Sequence, residues 1–189
     1  MSRRGTLVLV VGPSGAGKDS TIAGAATALD GEPRLLFTRR LITRPAAAGG
    51  EEHIALSPEA FAAARDAGKL LLHWRAHGLD YGLPGELAAT LEAGRGVVAN
   101  VSRTVVATAR ERLAPVAVVA ITAAPDILAA RLAARGREGG ADIASRLRRA
   151  GALAPDQADF VIDNNGSLEA AVARFVEILR GLIAQPDSR

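Results

Sequence analysis

Six stretches of the chain are rich in Val, Leu or Ile and read as strands: 6–11, 34–38, 70–75, 96–101, 115–121 and 159–162. Between them lie stretches with helical punctuation, at 18–29, 84–93, 104–113, 125–134, 142–153 and 168–184. A further helix opens with Ser57 as N-cap and Pro58 at the first helical position, and ends near Gly68. Strands alternating with helices of about a dozen residues build βαβ units, which predicts a parallel sheet covered on both faces. The first strand, Thr6-Leu7-Val8-Leu9-Val10-Val11, lacks the polar alternation of a half-exposed strand and suits the sheet centre. No repeat and no long linker interrupts the pattern. The expectation is one α/β domain over 1–189, with inserted flaps.

Composition narrows the function classes. At 189 residues, with 49% hydrophobic and 23% charged positions, the chain has the make-up of a single folded domain. No apolar run reaches the eighteen or so residues of a membrane span. The short apolar stretch behind Arg3-Arg4 runs straight into a glycine motif, so no signal peptide is expected there. The absence of cysteine removes disulfides and thiolate metal sites and fits a cytoplasmic setting. With three histidines, at 53, 73 and 77, a dedicated zinc site is not expected. Aromatic residues make up 3%, leaving little on which to stack the bases of a nucleic acid. Of 23 basic side chains only Lys18 and Lys69 are lysine; the rest are arginine, which grips phosphate bidentately.

The chemistry centres on Gly12-Pro13-Ser14-Gly15-Ala16-Gly17-Lys18, which fits G-x-x-x-x-G-K between a buried-type strand and a helix. Glycines let successive N–H groups curl around one anion, and the helix N-terminus adds its dipole. Lys18 supplies a compact charge able to follow the β- and γ-phosphates. One position departs from the pattern: where Ser or Thr would hold Mg²⁺, the chain has Asp19, followed by Ser20. A second departure is Asn100 at the end of the strand at 96–101, where many phosphate-loop proteins carry a metal-directed Asp. Together they suggest that the carboxylate has moved, with Asp19 contacting Mg²⁺ directly or through water and Asn100 as polar support.

Several segments, in order, resemble the guanylate kinase family: the glycine loop, Ile42-Thr43-Arg44-Pro45, Tyr81-Gly82, Arg131-Leu132-Ala133-Ala134-Arg135-Gly136-Arg137-Glu138, Ser145-Arg146-Leu147-Arg148-Arg149-Ala150 and Val161-Ile162-Asp163-Asn164-Asn165. The resemblance implies a nucleoside-monophosphate-kinase-like P-loop fold, with an acceptor-binding flap at about 34–91 and a lid at about 131–149. It fails where guanine would be read. The flap serine is replaced by Arg40, the first acid falls at Leu72 or His73, and the second at Ser102. A site built on such hydrogen bonds discriminates by ~10⁴ or more, so their loss argues against GMP. A flap tyrosine is replaced by His53 and a flap arginine by Ala47, while Arg39, Arg40 and Arg44 still suit phosphate.

A phosphorylated acceptor without a base points to a phosphosugar. The chain is similar to the ribose 1,5-bisphosphate phosphokinases of phosphonate degradation in Gly17-Lys18-Asp19-Ser20, Glu52-His53-Ile54-Ala55-Leu56-Ser57, Ser102-Arg103 and Asn164-Asn165-Gly166-Ser167-Leu168. That resemblance implies ATP and a small phosphorylated sugar as substrates, Mg²⁺ as cofactor, and no membrane or nucleic-acid partner. It also implies residue roles. ATP would sit on Gly12, Pro13, Ser14, Gly15, Ala16, Gly17, Lys18, Asp19 and Ser20, with Arg131 and Asn165 nearby. Lys18, Arg135 and Arg146 would act on the transferred group, and Arg40, Arg44, Tyr81 and Arg103 would hold the acceptor. Trp74 and His73 are expected to pack the flap, and His77 to be loop. A guanylate kinase, another small-metabolite kinase of this fold, and a kinase-like binding module remain as alternatives.

Overall fold

The computed structural model describes residues 4–46, 52–134 and 158–184. Two sheets make up the architecture. The core sheet holds β1 (Leu7–Val11), β2 (Leu35–Phe37), β7 (Gly96–Asn100), β8 (Val116–Thr122) and β9 (Phe160–Asp163), in the order β2-β7-β1-β8-β9. Every pairing in it is parallel. β1 lies at its centre and is buried along its whole length, as its unbroken apolar sequence requires. Because side chains alternate across a strand, Leu7, Leu9 and Val11 enter one apolar cluster while Val8 and Val10 enter the other. The helices are α1 (Lys18–Ala28), α2 (Pro58–Asp66), α3 (Leu87–Glu92), α4 (Val106–Arg112), α5 (Pro125–Ala134) and α6 (Leu168–Ala184). In α6 the buried positions Ala171, Phe175, Ile178 and Leu179 follow the helical period and form one stripe.

The second sheet is the flap: β3 (Leu41–Ile42), β4 (Ile54–Ala55), β5 (Leu70–Ala76) and β6 (Leu79–Pro84), in the order β4-β3-β6-β5. Here β6 runs antiparallel to both of its neighbours. Its buried residues Ile42, Leu71, Leu72, Trp74, Tyr81 and Leu83 belong to the same cluster as Leu7, Leu9 and Val11, so the flap is seated on one face of the core.

Several expectations need correction. The flap sheet spans 41–84, within the stretch of about 34–91 expected for the flap, because β2 pairs with β7 in the core and α3 follows the last flap strand. The stretch at 79–84 is a strand, and the helix expected from Pro84 begins at Leu87. The helix expected from residue 104 starts with a 3₁₀ turn, Arg103–Val105. The Ser57 cap is as expected: its hydroxyl accepts from the Ala60 N–H at 3.1 Å, and Pro58 opens α2. The helix expected at 142–153 lies outside the described residues.

Candidate active site

The glycine loop joins β1 to α1 at the carboxyl end of the central strand, where open α/β sheets place their ligands. Its backbone is glycine's at both ends. Gly12 has φ +147°, and a Cβ there would overlap the Ile121 carbonyl oxygen. Gly17 has φ +90°, and a Cβ would run into the Asn164 side-chain amide. Asn164 lies at the end of β9, only 2% exposed, and its Nδ2 donates to the Ala16 carbonyl at 2.8 Å. That bond ties the loop to the far edge of the core sheet. Sequence reasoning missed this tie, although Asn164 stands in the motif around Asn165. Thr21, fully buried, donates its hydroxyl back to the Gly17 carbonyl at 3.0 Å and is not a metal-facing hydroxyl.

Lys18 folds over its own loop, donating to the Gly12 carbonyl at 2.8 Å and the Pro13 carbonyl at 3.0 Å. Asp19 and Asn100 meet: Asn100 Nδ2 donates to Asp19 Oδ1 at 2.6 Å across 81 positions of sequence. A carboxylate only accepts, so the amide nitrogen must face it, which fixes the orientation of Asn100. Its Oδ1 is buried and has no partner among the described residues. An exposed carboxylate beside an orphaned amide oxygen is a hard, all-oxygen donor pair of the type Mg²⁺ takes. Among the described residues there is no group of three or more His, Cys, Asp or Glu placed to hold a metal ion.

A cavity of about 300 Å³ opens beside the loop. Gly12, Pro13, Ser14, Lys18 and Asp19 line one wall; Arg40, Trp74 and Tyr81 from the flap line another; Asn100, Ser102 and Arg103 close it. The structure thus gathers Lys18, Asp19, Arg40, Tyr81 and Arg103 around one cavity. Arg40 lies over the Tyr81 ring, 5.3 Å from its centroid, and Tyr81 stacks on Trp74 with centroids 5.6 Å apart and planes 8° apart. Trp74 packs in the flap as expected and also lines the cavity, and His77, expected to be plain loop, lies in the cavity wall. Trp74 stands opposite Tyr81 in the β5–β6 register, a relation visible only once the strands pair. Leu72 is 3% exposed within the apolar cluster, and neither it nor His73 lines the cavity. Ser102 caps the 3₁₀ turn, its hydroxyl accepting from Thr104 N–H at 3.3 Å. None of these positions presents a carboxylate to a base.

Other expected residues lie elsewhere. Arg44 is not in the cavity lining; its Nη2 donates to His53 Nδ1 at 3.3 Å, and His53 Nε2 donates to the Arg44 carbonyl at 3.0 Å. A carbonyl only accepts and a guanidinium only donates, so His53 stands here as the neutral Nε2–H tautomer. Arg131 sits in α5, with a buried Nη1 that has no partner among the described residues. Its helix covers the loop, since Leu132 would be the first contact of a Cβ at Gly15, at 3.3 Å. Asn165 uses its Oδ1 to accept from the Ala124 N–H at 2.6 Å, tying the turn before α5. Any contact with adenine would fall to its Nδ2. Arg135 and Arg146, and the lid beyond residue 134, lie outside the described residues.

The fold and the glycine loop define an α/β P-loop kinase. A guanylate kinase from Anaplasma phagocytophilum superposes with a TM-score of 0.72 over 97% of this chain and 89% of that one, at 19% identity, a likeness of fold. No protein-family model matches the chain. Sequence relatives are far nearer. The ribose 1,5-bisphosphate phosphokinase PhnN of Methylobacterium radiotolerans is 51% identical over 93% of this chain and 98% of its own length. That of Acidiphilium cryptum is 51% identical over 95% and 94%. The chain belongs to the PhnN ribose 1,5-bisphosphate phosphokinase family. The bifunctional ribose 1,5-bisphosphokinase-thymidine phosphorylase of Cupriavidus necator is also 51% identical, and this chain spans 30% of its length. Among the described residues no helix is long and apolar enough to cross a membrane.

Proposed function

We propose that this chain transfers the γ-phosphoryl group of ATP to the 1-phosphate of ribose 1,5-bisphosphate, giving 5-phospho-α-D-ribose 1-diphosphate and ADP. The observation that carries the reading is the cavity itself, in which the Lys18 loop faces arginines and not base-reading acids. Family membership supplies the acceptor's name.

The chemistry asks little of a general base. The attacking group is a phosphate-monoester oxygen, anionic near neutral pH because its second pKa is about 6. A bond forms between that oxygen and the γ-phosphorus while the bond from the γ-phosphorus to the β,γ-bridging oxygen breaks. The electron pair leaves with ADP. What remains is to hold two polyanions in line and neutralise charge, and that is what the lining residues offer. Gly12 to Ser20 seat the ATP phosphates on backbone N–H groups and the α1 N-terminus. Lys18 leaves the Gly12 and Pro13 carbonyls, weak neutral acceptors, for a phosphate when one arrives. Asp19 and Asn100 Oδ1 would hold Mg²⁺, which when bound spreads the β- and γ-phosphate charge. Arg40 and Arg103 take the acceptor phosphates. Arg44 joins them only on release from His53. Arg131, on the helix that covers the loop, would serve the ATP end, and Arg135 and Arg146 keep the lid role that the family resemblance implies.

A coupled ADP-release assay with ribose 1,5-bisphosphate and GMP side by side tests this. Turnover with the bisphosphate and none with GMP is expected. Transfer to GMP alone would overturn the proposal in favour of a guanylate kinase, and failure to bind ATP in calorimetry would make the chain a binding module.

A further inference from the structure

The flap wall of the cavity is a three-layer stack. In the flap sheet β6 lies between β3 and β5. Tyr81 on β6 therefore has Trp74 of β5 on one side, its register partner, and Arg40, the residue entering β3, on the other. The Trp74–Tyr81 rings are 5.6 Å apart and nearly parallel, and the Arg40 guanidinium lies 5.3 Å from the Tyr81 centroid. Both rings are 8% exposed and packed into the core cluster, so the stack is held from behind.

Two consequences follow. Stacking uses the flat face of a guanidinium and not its N–H edge, which is the part that a bidentate phosphate grip needs. Tyr81 in turn has Trp74 against one face and Arg40 against the other, so neither is left for a purine. The same three residues present an anion receptor and withhold a base platform.

We propose that Tyr81, backed by Trp74, is a positioning residue that holds Arg40 as the receptor for the acceptor's non-reacting phosphate monoester, and that this stack sets the preference for a second phosphate over a nucleobase. The proposal rests on the acceptor reading given above. It moves Tyr81 from gripping phosphate to supporting the arginine that does.

The test uses Tyr81→Phe, Tyr81→Leu, Arg40→Ala and the Tyr81→Leu/Arg40→Ala double variant in the ADP-release assay. Tyr81→Phe keeps the ring and is expected to keep the acceptor KM within about 3-fold. Tyr81→Leu and Arg40→Ala are each expected to raise the acceptor KM by about 5- to 30-fold, the span of a partly to fully desolvated cation–π contact. The ATP KM and kcat should change by less than about 3-fold. The double variant should be no worse than Arg40→Ala, because the ring acts only through the arginine. Additive losses, an unchanged Tyr81→Leu, or an ATP KM that moves as far as the acceptor KM would overturn the stack's role.

A second readout does not depend on Tyr81→Leu folding well. Trp74 is the chain's one tryptophan, so intrinsic emission reports directly on the stack. Ribose 5-phosphate, which carries only the non-reacting phosphate, should change that emission in the unmodified enzyme and not in Arg40→Ala; equal affinity for both overturns the proposal. If the unmodified enzyme releases no ADP with ribose 1,5-bisphosphate, the acceptor reading fails. If it turns over and Tyr81→Leu is indifferent, the stack alone fails.

Discussion

Asn164→Ala separates what the end of β9 does for stability from what it does for the nucleotide. The substitution removes the 2.8 Å bond from Nδ2 to the Ala16 carbonyl and strands that carbonyl, a loss of about 1–3 kcal/mol. It also removes Asn164 Oδ1, a buried oxygen with no partner among the described residues, and the desolvation penalty relieved is of the same size, about 1–3 kcal/mol. The two effects oppose and are of similar size, so the net change in folding free energy lies within about 2 kcal/mol of zero and Tm moves by no more than roughly 4–8 °C. The loop, however, loses its tie to the far edge of the sheet. If its ordering is then met from ATP binding, at about 1–2 kcal/mol, the ATP KM rises about 5- to 30-fold. The contact with Gly17 adds a cross-check. Gly17→Ala meets a positive-φ cost of about 1–2 kcal/mol together with the collision against the Asn164 amide. In the Asn164→Ala background only the backbone cost remains, so the double variant should be more stable than the sum of the singles by about 1–2 kcal/mol. Thermal unfolding and ATP-dependent kinetics on the three variants measure this. A large fall in Tm with an unchanged ATP KM would refute the argument, because Asn164 would then be holding the core and not the loop.

Three further outcomes are expected. Asn100→Asp sets a carboxylate against Asp19 in place of the 2.6 Å bond, so at pH 8 Tm should fall in the absence of divalent cation and recover with millimolar Mg²⁺ more than the unmodified protein gains; calorimetric scans with and without Mg²⁺ decide. Lys18→Met removes a side chain that bonds the Gly12 and Pro13 carbonyls of its own loop and is assigned to the transferred phosphate. Tm should stay within a few degrees while kcat falls by about 100-fold or more, read by ADP release. At the partly buried Glu32, hydrogen bonds from the Arg34 side chain and backbone hold the carboxyl at about 2, below its ordinary value of 4.5. A lowered folded value contributes stability above about pH 4.5 that is lost as pH falls towards 2, so any Tm deficit of Glu32→Gln should shrink over that window; a deficit that grows on acidification would show the sign to be wrong.

The parts of the fold legible in the sequence were those whose signal is local and long. β1 is apolar throughout, the glycine loop needs its φ values wherever it occurs, Ser57-Pro58 caps a helix by its own chemistry, and α6 carries a 17-residue stripe. Beyond β5 and α2, the flap was not legible. β3 and β4 have two residues each, too few to show a period of two, and Leu79-Asp80-Tyr81-Gly82-Leu83-Pro84 carries Asp, Gly and Pro that hide a strand until β3 and β5 pair with it. That gap fell on the acceptor side of the site. Arg40 and Arg44 carry the same chemistry four positions apart, yet the sheet sends one over Tyr81 and the other to His53.

Where the sequence departed from a motif, by contrast, it was informative at long range. Asp19 and Asn100 each break the phosphate-loop pattern singly, and 81 residues separate them, but they share one hydrogen bond. Moving the acid from the end of β7 to the head of α1 leaves one carboxylate and one amide at the junction. The acid is then where the α1 dipole favours it, and the amide can donate to it where a second acid would repel it. The local negative charge available to a cation is thereby the same as in the pattern it replaces. A loop without the usual hydroxyl still has an oxygen to offer because the two departures compensate each other.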